Sequence, residues 1–140
     1  MPAASYEVRV VTPERTAFAG NVHSLVAPGI EGYLGVLPHH APMVVELGPG
    51  ELALEEENGR RRLFAVSGGY LRVAPGEVSV VAEAAEEADR IDVARAEAAR
   101  ERAQRRLQRR DGEVDVTRAQ AALHRALNRL KVAAQARGRR

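Results

Sequence analysis

The first half of the chain alternates apolar and polar residues in short runs. Tyr6–Val10 alternates strictly, and Val22–Val26 and Met43–Leu47 are further apolar-rich runs of strand length. A period of two residues is typical of a strand with one buried face. The other candidate strands are Tyr33–Leu37, Glu51–Glu55, Arg62–Val66, Tyr70–Val73 and Val78–Ala82.

Turn-forming residues lie between nearly all of these runs. Asn58-Gly59 is a strong signal for a two-residue hairpin. Gly68-Gly69 is predicted to be a turn between two strands, as is Pro75-Gly76. Because no helical pattern separates the strands, an antiparallel sandwich or barrel is favoured over a parallel sheet with crossover helices.

The second half has a helical pattern. Residues 92–110 contain no glycine, proline or aromatic residue and are rich in alanine, arginine, glutamate and glutamine, which are strong helix formers. We expect this helix to end at Asp111-Gly112. Asp115 is a candidate N-cap of a second helix that reaches about Arg137. A short connection predicts an antiparallel hairpin.

The apolar faces of the two predicted helices are narrow and rich in alanine. Such faces allow close approach but bury little area, so the hairpin should be less stable than the strand region. On the first helix the face consists of Ala96, Ala99, Ala103 and Leu107, and on the second of Ala119, Ala122, Leu123, Ala126, Leu127, Leu130 and Ala134.

These patterns place the chain in the α+β class, with a β-sandwich in residues 1–88 and a helical hairpin in residues 89–140. A length of 140 residues suits one compact domain with an appendage. The chain contains no cysteine, which excludes disulfides and thiolate metal sites. No apolar run is long enough to span a bilayer, so we expect no direct membrane insertion.

Charge divides the chain in the same place. Residues 1–90 carry 7 Lys/Arg and 13 Asp/Glu, a net of −6, whereas residues 91–140 carry 14 Lys/Arg and 6 Asp/Glu, a net of +8. The whole-chain charge of +2 conceals this asymmetry. Two modules with different partners are therefore indicated.

Arginines border both apolar faces of the hairpin: Arg95, Arg102 and Arg106 on the first helix, and Arg118, Arg125 and Arg129 on the second. One interpretation is a solvated basic face. The other is a groove of guanidinium groups, whose geometry suits phosphate oxygens. Asp92 is close to the first apolar face, where it can cap the helix.

The sequence carries little sign of catalysis or metal binding. It has no phosphate-binding loop, no nucleophile elbow and no paired-carboxylate pattern. His39 and His40 are adjacent in an extended segment, where they point in opposite directions and make a poor metal pair. We therefore expect a protein that is not an enzyme by itself.

Several motifs, in order and over residues 6–132, are similar to those of one family. The chain resembles the epsilon subunit of bacterial F-type ATP synthases. The motifs are Val11-Thr12-Pro13-Glu14-Arg15, Glu31-Gly32-Tyr33-Leu34-Gly35-Val36-Leu37-Pro38-x-His40-Ala41-Pro42, Val66-Ser67-Gly68-Gly69-Tyr70, Ile91-Asp92-x-x-Arg95-Ala96 and Arg125-Ala126-Leu127-Asn128-Arg129-Leu130. At His39 the chain departs from the Pro-Gly-His that is frequent in relatives.

This resemblance implies a fold and a role. The fold is a sandwich of about ten antiparallel strands followed by a helical hairpin. The role is that of a central-stalk subunit in proton-driven ATP synthesis, at the cytoplasmic face of the cell membrane as a peripheral part of the complex. The sandwich would contact the gamma subunit and the c-ring, with Glu31, Gly32 and Tyr33 facing the ring.

The resemblance also implies regulation. The hairpin of the family moves between a folded state and an extended state that reaches the alpha/beta catalytic head and inhibits ATP hydrolysis. No cofactor is required, but ATP binds the folded hairpin of several members without a metal. The ATP-contacting positions of those members correspond here to Glu86, Ile91, Asp92, Arg95, Ala96, Arg102, Arg125 and Arg129.

A second function class stays open at this point. A basic helical hairpin is also typical of modules that bind nucleic acid or acidic protein partners. The arginine-rich half has no aromatic residue for base stacking, and the acidic first half would repel a polyanion. The rotor-subunit interpretation is therefore favoured, with no nucleic acid among the expected partners.

Overall fold

The structure, a computed structural model, describes residues 4–109 and 115–138. The chain divides into two compact units, residues 1–87 and 88–140. The first contains all the strands and the second all the helices of the described part. The elements are β1 (Tyr6–Val11), β2 (Thr16–Gly29), β3 (Gly32–Val36), β4 (Met43–Leu47), β5 (Gly50–Glu56), β6 (Arg61–Ala74), β7 (Glu77–Glu87), a 3-10 turn (Ala88–Arg90), α1 (Val93–Gln108) and α2 (Val116–Gly138).

The first unit is the predicted β-sandwich. Its strands follow the order β1-β7-β6-β4-β2-β3, and β5 pairs with β2 and β6. The long strand β2 pairs with β1 through residues 16–22 and with β5 through residues 22–26. Strand β6 likewise pairs with β5 through residues 61–66 and with β4 through residues 69–73. Each long strand therefore changes partners along its length and serves both layers.

Two details of the sandwich differ from the predictions. The pairing of β1 with β7 is parallel, whereas the other pairs are antiparallel. The described residues also form seven strands, fewer than the resemblance implies, because long strands continue where separate ones were expected. Strand β4 has the bounds that the sequence predicts.

The prediction of a turn at Gly68-Gly69 is wrong, since β6 runs through both residues. Their φ angles are +61° and +120°, in the region that favours glycine. A Cβ atom at Gly69 would lie 2.0 Å from the carbonyl oxygen of Val81. The two glycines therefore let β6 stay paired with β7 where a side chain would collide.

The core lies between the layers of the sandwich. Strand β1 shows the alternation directly, because Val8 and Val10 are completely buried while Glu7 and Arg9 are exposed. The tyrosine hydroxyl of Tyr6 donates a hydrogen bond to the Val36 carbonyl oxygen at 2.5 Å. Phe18 and Phe64 make an edge-to-face contact with ring centroids 6.4 Å apart, a favourable geometry for aromatic pairs.

A partly buried network of ion pairs joins three strands of the sandwich. The Arg62 guanidinium donates to Glu56 at 3.2 Å and to Glu87 at 3.0 Å. Its carbon Cζ also lies 5.5 Å from the centre of the Phe18 ring. Because Arg62, Glu56 and Glu87 come from β6, β5 and β7, the network ties the end of β7 to its neighbours.

The second unit is the predicted helical hairpin. Helix α2 packs against α1 and also contacts the 3-10 turn that precedes α1. Since α2 begins only eight residues after Gln108, these contacts require the helices to be antiparallel. Helix α1 ends at Gln108, before the predicted end, and the expected stop at residues 111 and 112 lies outside the described residues. Asp115 caps α2 as predicted, accepting the Arg118 backbone N–H at 3.0 Å.

The buried face of α1 is the one that the sequence predicts. Ala96 and Ala103 are fully packed, and Ala99 and Leu107 are half-buried. On α2 the prediction is partly wrong, because Leu127 and Ala134 are exposed and Val132 and Ala133 are buried instead. Three of the four described buried positions of α2 are alanines that recur every seven residues (Ala119, Ala126 and Ala133).

Candidate functional site

Asp92 sits at the beginning of α1 and caps the helix. Its backbone is extended, with φ −80° and ψ 100°, and its side chain accepts a hydrogen bond from the Arg95 backbone N–H at 3.0 Å. A carboxylate here satisfies one of the free N–H groups of the first turn and interacts favourably with the helix dipole. The capping interpretation of Asp92 is therefore confirmed, and its position at the start of the helix is fixed.

Ile91 and Ala96 flank this cap as packing residues. Ile91 is 8% exposed and Ala96 is completely buried. Both side chains are apolar, so these positions offer packing rather than polar contacts to a ligand.

Two of the predicted ATP contacts on α1 are exposed arginines. Arg95 and Arg102 are seven residues apart and so lie two turns apart on one face. Within residues 4–109 and 115–138 neither guanidinium has an ion pair or a side-chain hydrogen bond. Arg105 differs, because it pairs with Glu101 at 3.6 Å across one helical turn.

The two predicted contacts on α2 are in different environments. Arg125 is exposed, and its guanidinium has no ion pair in the part of the chain that the structure describes. Arg129, one turn further along, is half-buried and interacts with its neighbours. Their spacing of four residues places both on one face of α2.

Glu86 belongs to the other unit. It lies in β7 opposite Ala65 and is half-buried. Seven of the predicted ATP contacts belong to the helical unit, namely Ile91, Asp92, Arg95, Ala96, Arg102, Arg125 and Arg129. The four arginines among them are cationic donors of the kind that suits an anionic ligand with several oxygens.

The predicted ring-contact residues form the tip of the hairpin between β2 and β3. Glu31 and Gly32 are exposed, and Gly32 has a φ of +137°. Tyr33 is 60% exposed, and its hydroxyl oxygen accepts the Glu51 backbone N–H at 3.1 Å. Ile30 is also 60% exposed. The tip thus presents two large apolar side chains beside one carboxylate.

A second exposed apolar surface was not predicted. Val44, Tyr70 and Val81 are 67%, 55% and 55% exposed and lie on neighbouring strands, with Tyr70 directly opposite both Glu46 and Val81. We call these three residues the apolar row. The signal in the sequence was present, because Val44-Val45 and Val80-Val81 place apolar residues on both faces of a strand. Such a row is typical of a surface that another subunit covers.

No group of His, Cys, Asp and Glu residues in the described part could hold a metal ion. Among the same residues, no helix is long and apolar enough to cross a membrane.

Comparison with known families gives two matches that follow one another. Residues 5–88 match the model described as "ATP synthase, Delta/Epsilon chain, beta-sandwich domain". Residues 89–134 match "ATP synthase, Delta/Epsilon chain, long alpha-helix domain". Together they cover most of the chain.

Similar proteins carry the same description. The ATP synthase epsilon chain of Pelotomaculum thermopropionicum is 50% identical over 135 residues, which cover 96% of this chain and 100% of that one. The ATP synthase epsilon chain of Syntrophobacter fumaroxidans is 50% identical over 131 residues, covering 94% of this chain and 97% of that one.

Solved structures show the same fold. A chain in the cryo-EM structure of the Euglena gracilis mitochondrial ATP synthase, OSCP/F1/c-ring, aligns with a TM-score of 0.76 at 27% identity, over 89% of this chain and 78% of that one. A chain of the Tetrahymena thermophila mitochondrial ATP synthase central stalk/c-ring aligns with a TM-score of 0.59 at 15% identity, over 97% of this chain and 98% of that one, which supports the fold alone. This chain belongs to the delta/epsilon family of ATP synthase subunits, structural rather than catalytic components of that enzyme.

Proposed function

We propose that this chain is a rotor subunit that couples rotation to ATP synthesis and restrains ATP hydrolysis through a mobile, ATP-sensing hairpin. Its place would be in the proton-translocating ATP synthase, peripheral at the cytoplasmic face of the cell membrane. The observation that carries the regulatory part is the hairpin itself. It combines the N-capping residue Asp92 with the guanidinium groups of Arg95, Arg102 and Arg125, which are unpaired within the described residues.

In this proposal the first unit makes the rotor contacts. The tip at Ile30 and Tyr33 would face the c-ring, with Glu31 and Gly32 at its edge, and the apolar row would lie against the gamma subunit. Two exposed apolar surfaces on one sandwich support the idea of two partners. Tyr33 suits a contact residue because its bond to Glu51 holds the ring in one orientation before binding, so little conformational freedom is lost.

The hairpin would act on the catalytic head when it is extended. Residues 91–140 carry a net charge of +8, which favours an acidic surface on the alpha/beta head. Helix α2 also keeps Val116 52% exposed and Leu127 42% exposed. A helix with a basic face and a partly exposed apolar edge can dock on a surface that combines both chemistries.

ATP would bind the folded hairpin and oppose that inhibitory state. Folding brings arginines of α1 and α2 onto one small unit, which costs like-charge repulsion. A triphosphate relieves this repulsion through charge-assisted hydrogen bonds from Arg95, Arg102, Arg125 and Arg129, so no metal is required. ATP would stabilise only the folded hairpin. The free energy by which it shifts the equilibrium between folded and extended states equals the difference between its binding free energies for the two states.

The carboxylate of Asp92 has a different role in this proposal. It would repel phosphate oxygens, so it is suited to positioning arginines or accepting from donor groups of the ligand. Glu86, which belongs to the first unit, stays a prediction from the resemblance. Ile91 and Ala96 would keep the first turn of α1 in place. In this arrangement Asp92 keeps its bond to the Arg95 N–H while the Arg95 side chain contacts phosphate.

Calorimetric titration of the whole chain with ATP and a metal chelator tests the proposal. We expect binding by the wild type, and a loss of roughly tenfold to 100-fold in affinity for Arg125→Ala, because a charge-assisted hydrogen bond contributes about 1.5–3 kcal/mol. Arg105→Ala is the matched control, since Arg105 is already paired with Glu101 and lies outside the proposed contacts.

Two results would overturn the ATP proposal. One is the absence of binding by the wild type at millimolar ATP. The other is an equal loss of affinity in Arg105→Ala and Arg125→Ala, which would indicate general electrostatic attraction rather than a site. Neither result would affect the family membership.

A further inference from the structure

His23 occupies an irregular position in β2. In the pairing with β5, Val22 is opposite Glu56 and Ser24 is opposite Glu55, so His23 is an extra residue in the ladder. A β-bulge of this kind bends the strand locally and redirects a side chain. The bulge lies where β1 begins on one side of β2 and β5 ends on the other.

Both ring nitrogens of His23 contact backbone carbonyl oxygens. Nδ1 lies 2.9 Å from the oxygen of Ala4, and Nε2 lies 3.0 Å from the oxygen of Glu57. Ala4 precedes β1, and Glu57 follows β5. The imidazole therefore bridges two chain segments that flank β2.

The chemistry of these contacts selects one protonation state. A carbonyl oxygen can only accept a hydrogen bond, and a neutral imidazole has one N–H and one lone pair. In either neutral tautomer, one of the two contacts would set a lone pair against a carbonyl oxygen. Only the imidazolium ion donates to Ala4 and Glu57 together.

We propose that protonated His23 is a pH-sensitive clasp that fastens the segment before β1 and the turn after β5 to the bulge of β2. When the ring loses its proton, one of the two hydrogen bonds is lost and one segment is released. The device lies in the first unit and is independent of the ATP site, so it goes beyond the function proposed above.

The electrostatic surroundings agree with a charged ring. Hydrogen bonding to the Ala4 carbonyl, and then to the Glu57 carbonyl, raises the pKa of His23, and the carboxylates of Glu55 and Glu57 raise it further. Desolvation acts in the opposite direction and ranks below the two hydrogen bonds but above the carboxylates, and the net effect is to raise the pKa of His23. On the β1 side the neighbouring described residues, Ala4 and Ser5, carry no charge.

The sign of the pH effect follows from this direction. The folded pKa lies above the ordinary value of 6.5, so the clasp stabilises the fold fully below pH 6.5. That stabilisation is lost as the pH rises through the folded pKa. A separate bond from the Glu57 N–H to the Asn21 carbonyl oxygen, at 3.3 Å, does not titrate and keeps the turn after β5 partly attached.

The segment before β1 is attached to β2 by fewer hydrogen bonds than the turn after β5. Among the described residues it is held to β2 at Ala4 through the His23 ring alone, before the ladder of β1 starts at Tyr6. We therefore expect a neutral ring to give up the bond to Ala4 rather than the bond to Glu57.

Nuclear magnetic resonance of the whole chain tests the clasp. The ring nitrogen spectrum of His23 reports how many nitrogens carry protons, and the amides of Ser5 and Asn58 report hydrogen bonding to the carbonyls that precede them. We expect both ring nitrogens to be protonated at pH 6 and to titrate with a midpoint above 6.5. The Ser5 amide should show the same midpoint, whereas Asn58 should change little because the neutral ring keeps its bond to Glu57.

Variants separate the clasp from general effects of pH. In His23→Gln the titration of the Ser5 amide should disappear, whereas in His124→Gln, which removes an exposed histidine of α2, it should be unchanged. A His23 midpoint at or below 6.5 in the wild type would overturn the proposal. So would a ring with a single protonated nitrogen at pH 6, or amide titrations that persist in His23→Gln.

Discussion

The carboxylate of Asp92 accepts a hydrogen bond from the backbone N–H of Arg95, so the motif Ile91-Asp92-x-x-Arg95-Ala96 is also the start of the first helix of the hairpin. Three residues of separation place the acceptor and the donor at the N-cap and third helical positions, where such a bond is most favourable. The same two residues are proposed ATP contacts. In that proposal, capping and ligand binding would be linked at one turn of the chain.

Removing this cap should weaken the hairpin. We expect Asp92→Ala to lower the free energy of unfolding of the helical unit by about 1 kcal/mol, because one N–H group of the first turn loses its partner. Asp92→Asn keeps a capping oxygen and should cost only a few tenths of a kcal/mol. Thermal unfolding followed by the helical circular dichroism signal measures both, and equal losses in the two variants would contradict the capping role.

A strained turn offers a stabilising substitution. His39 has a φ of +67°, and it follows Pro38 in a turn closed by the His40 N–H and the Leu37 carbonyl oxygen at 3.2 Å. The left-handed conformation costs roughly 1–2 kcal/mol for a residue with a Cβ atom. Glycine avoids this cost but adds roughly 0.4–1 kcal/mol of unfolded-state entropy. We expect His39→Gly to raise the free energy of unfolding by about 0.5–1 kcal/mol.

Urea denaturation measures this gain, and the adjacent position provides its control. His40 has no positive φ, so His40→Gly should lower the stability. A lower stability of His39→Gly as well would contradict the claim that the backbone conformation of His39 costs free energy.

The glycine pair in β6 should tolerate no side chain at its second position. In Gly69→Ala the new Cβ atom would meet the Val81 carbonyl oxygen in a backbone with φ +120°. We expect a loss of about 3 kcal/mol or more in the free energy of unfolding. Gly59→Ala is the matched control, because its φ is +86° but the space around it is open. That variant should lose about 1 kcal/mol, from the backbone conformation alone.

Much of the fold could be predicted from local patterns. Alternation placed β1 and an apolar-rich run placed β4 almost to the residue, and the capping aspartates Asp92 and Asp115 marked the starts of both helices. These features depend on neighbours within a few positions in the chain, so the sequence contains them directly.

The errors arise where distant pairing decides the structure. Gly68-Gly69 has the sequence of a turn, but its positive φ angles serve a continuous strand that two partners hold in register. The alanine side of α2 is the side that packs against α1. Leu127 is therefore exposed, although its position fits the predicted apolar face. The role of His23 depends on a bulge and on two carbonyl groups from other segments, which no local pattern reveals.

The rate of ATP hydrolysis by the assembled enzyme tests the central claim most directly. The complex containing the whole chain is compared with one in which residues 91–140 are deleted, and retention of the truncated chain in the complex is checked by its co-purification. The account predicts that the truncated chain still assembles and that hydrolysis becomes faster. Unchanged hydrolysis in a complex that retains the truncated chain would contradict the claim that the hairpin restrains the enzyme.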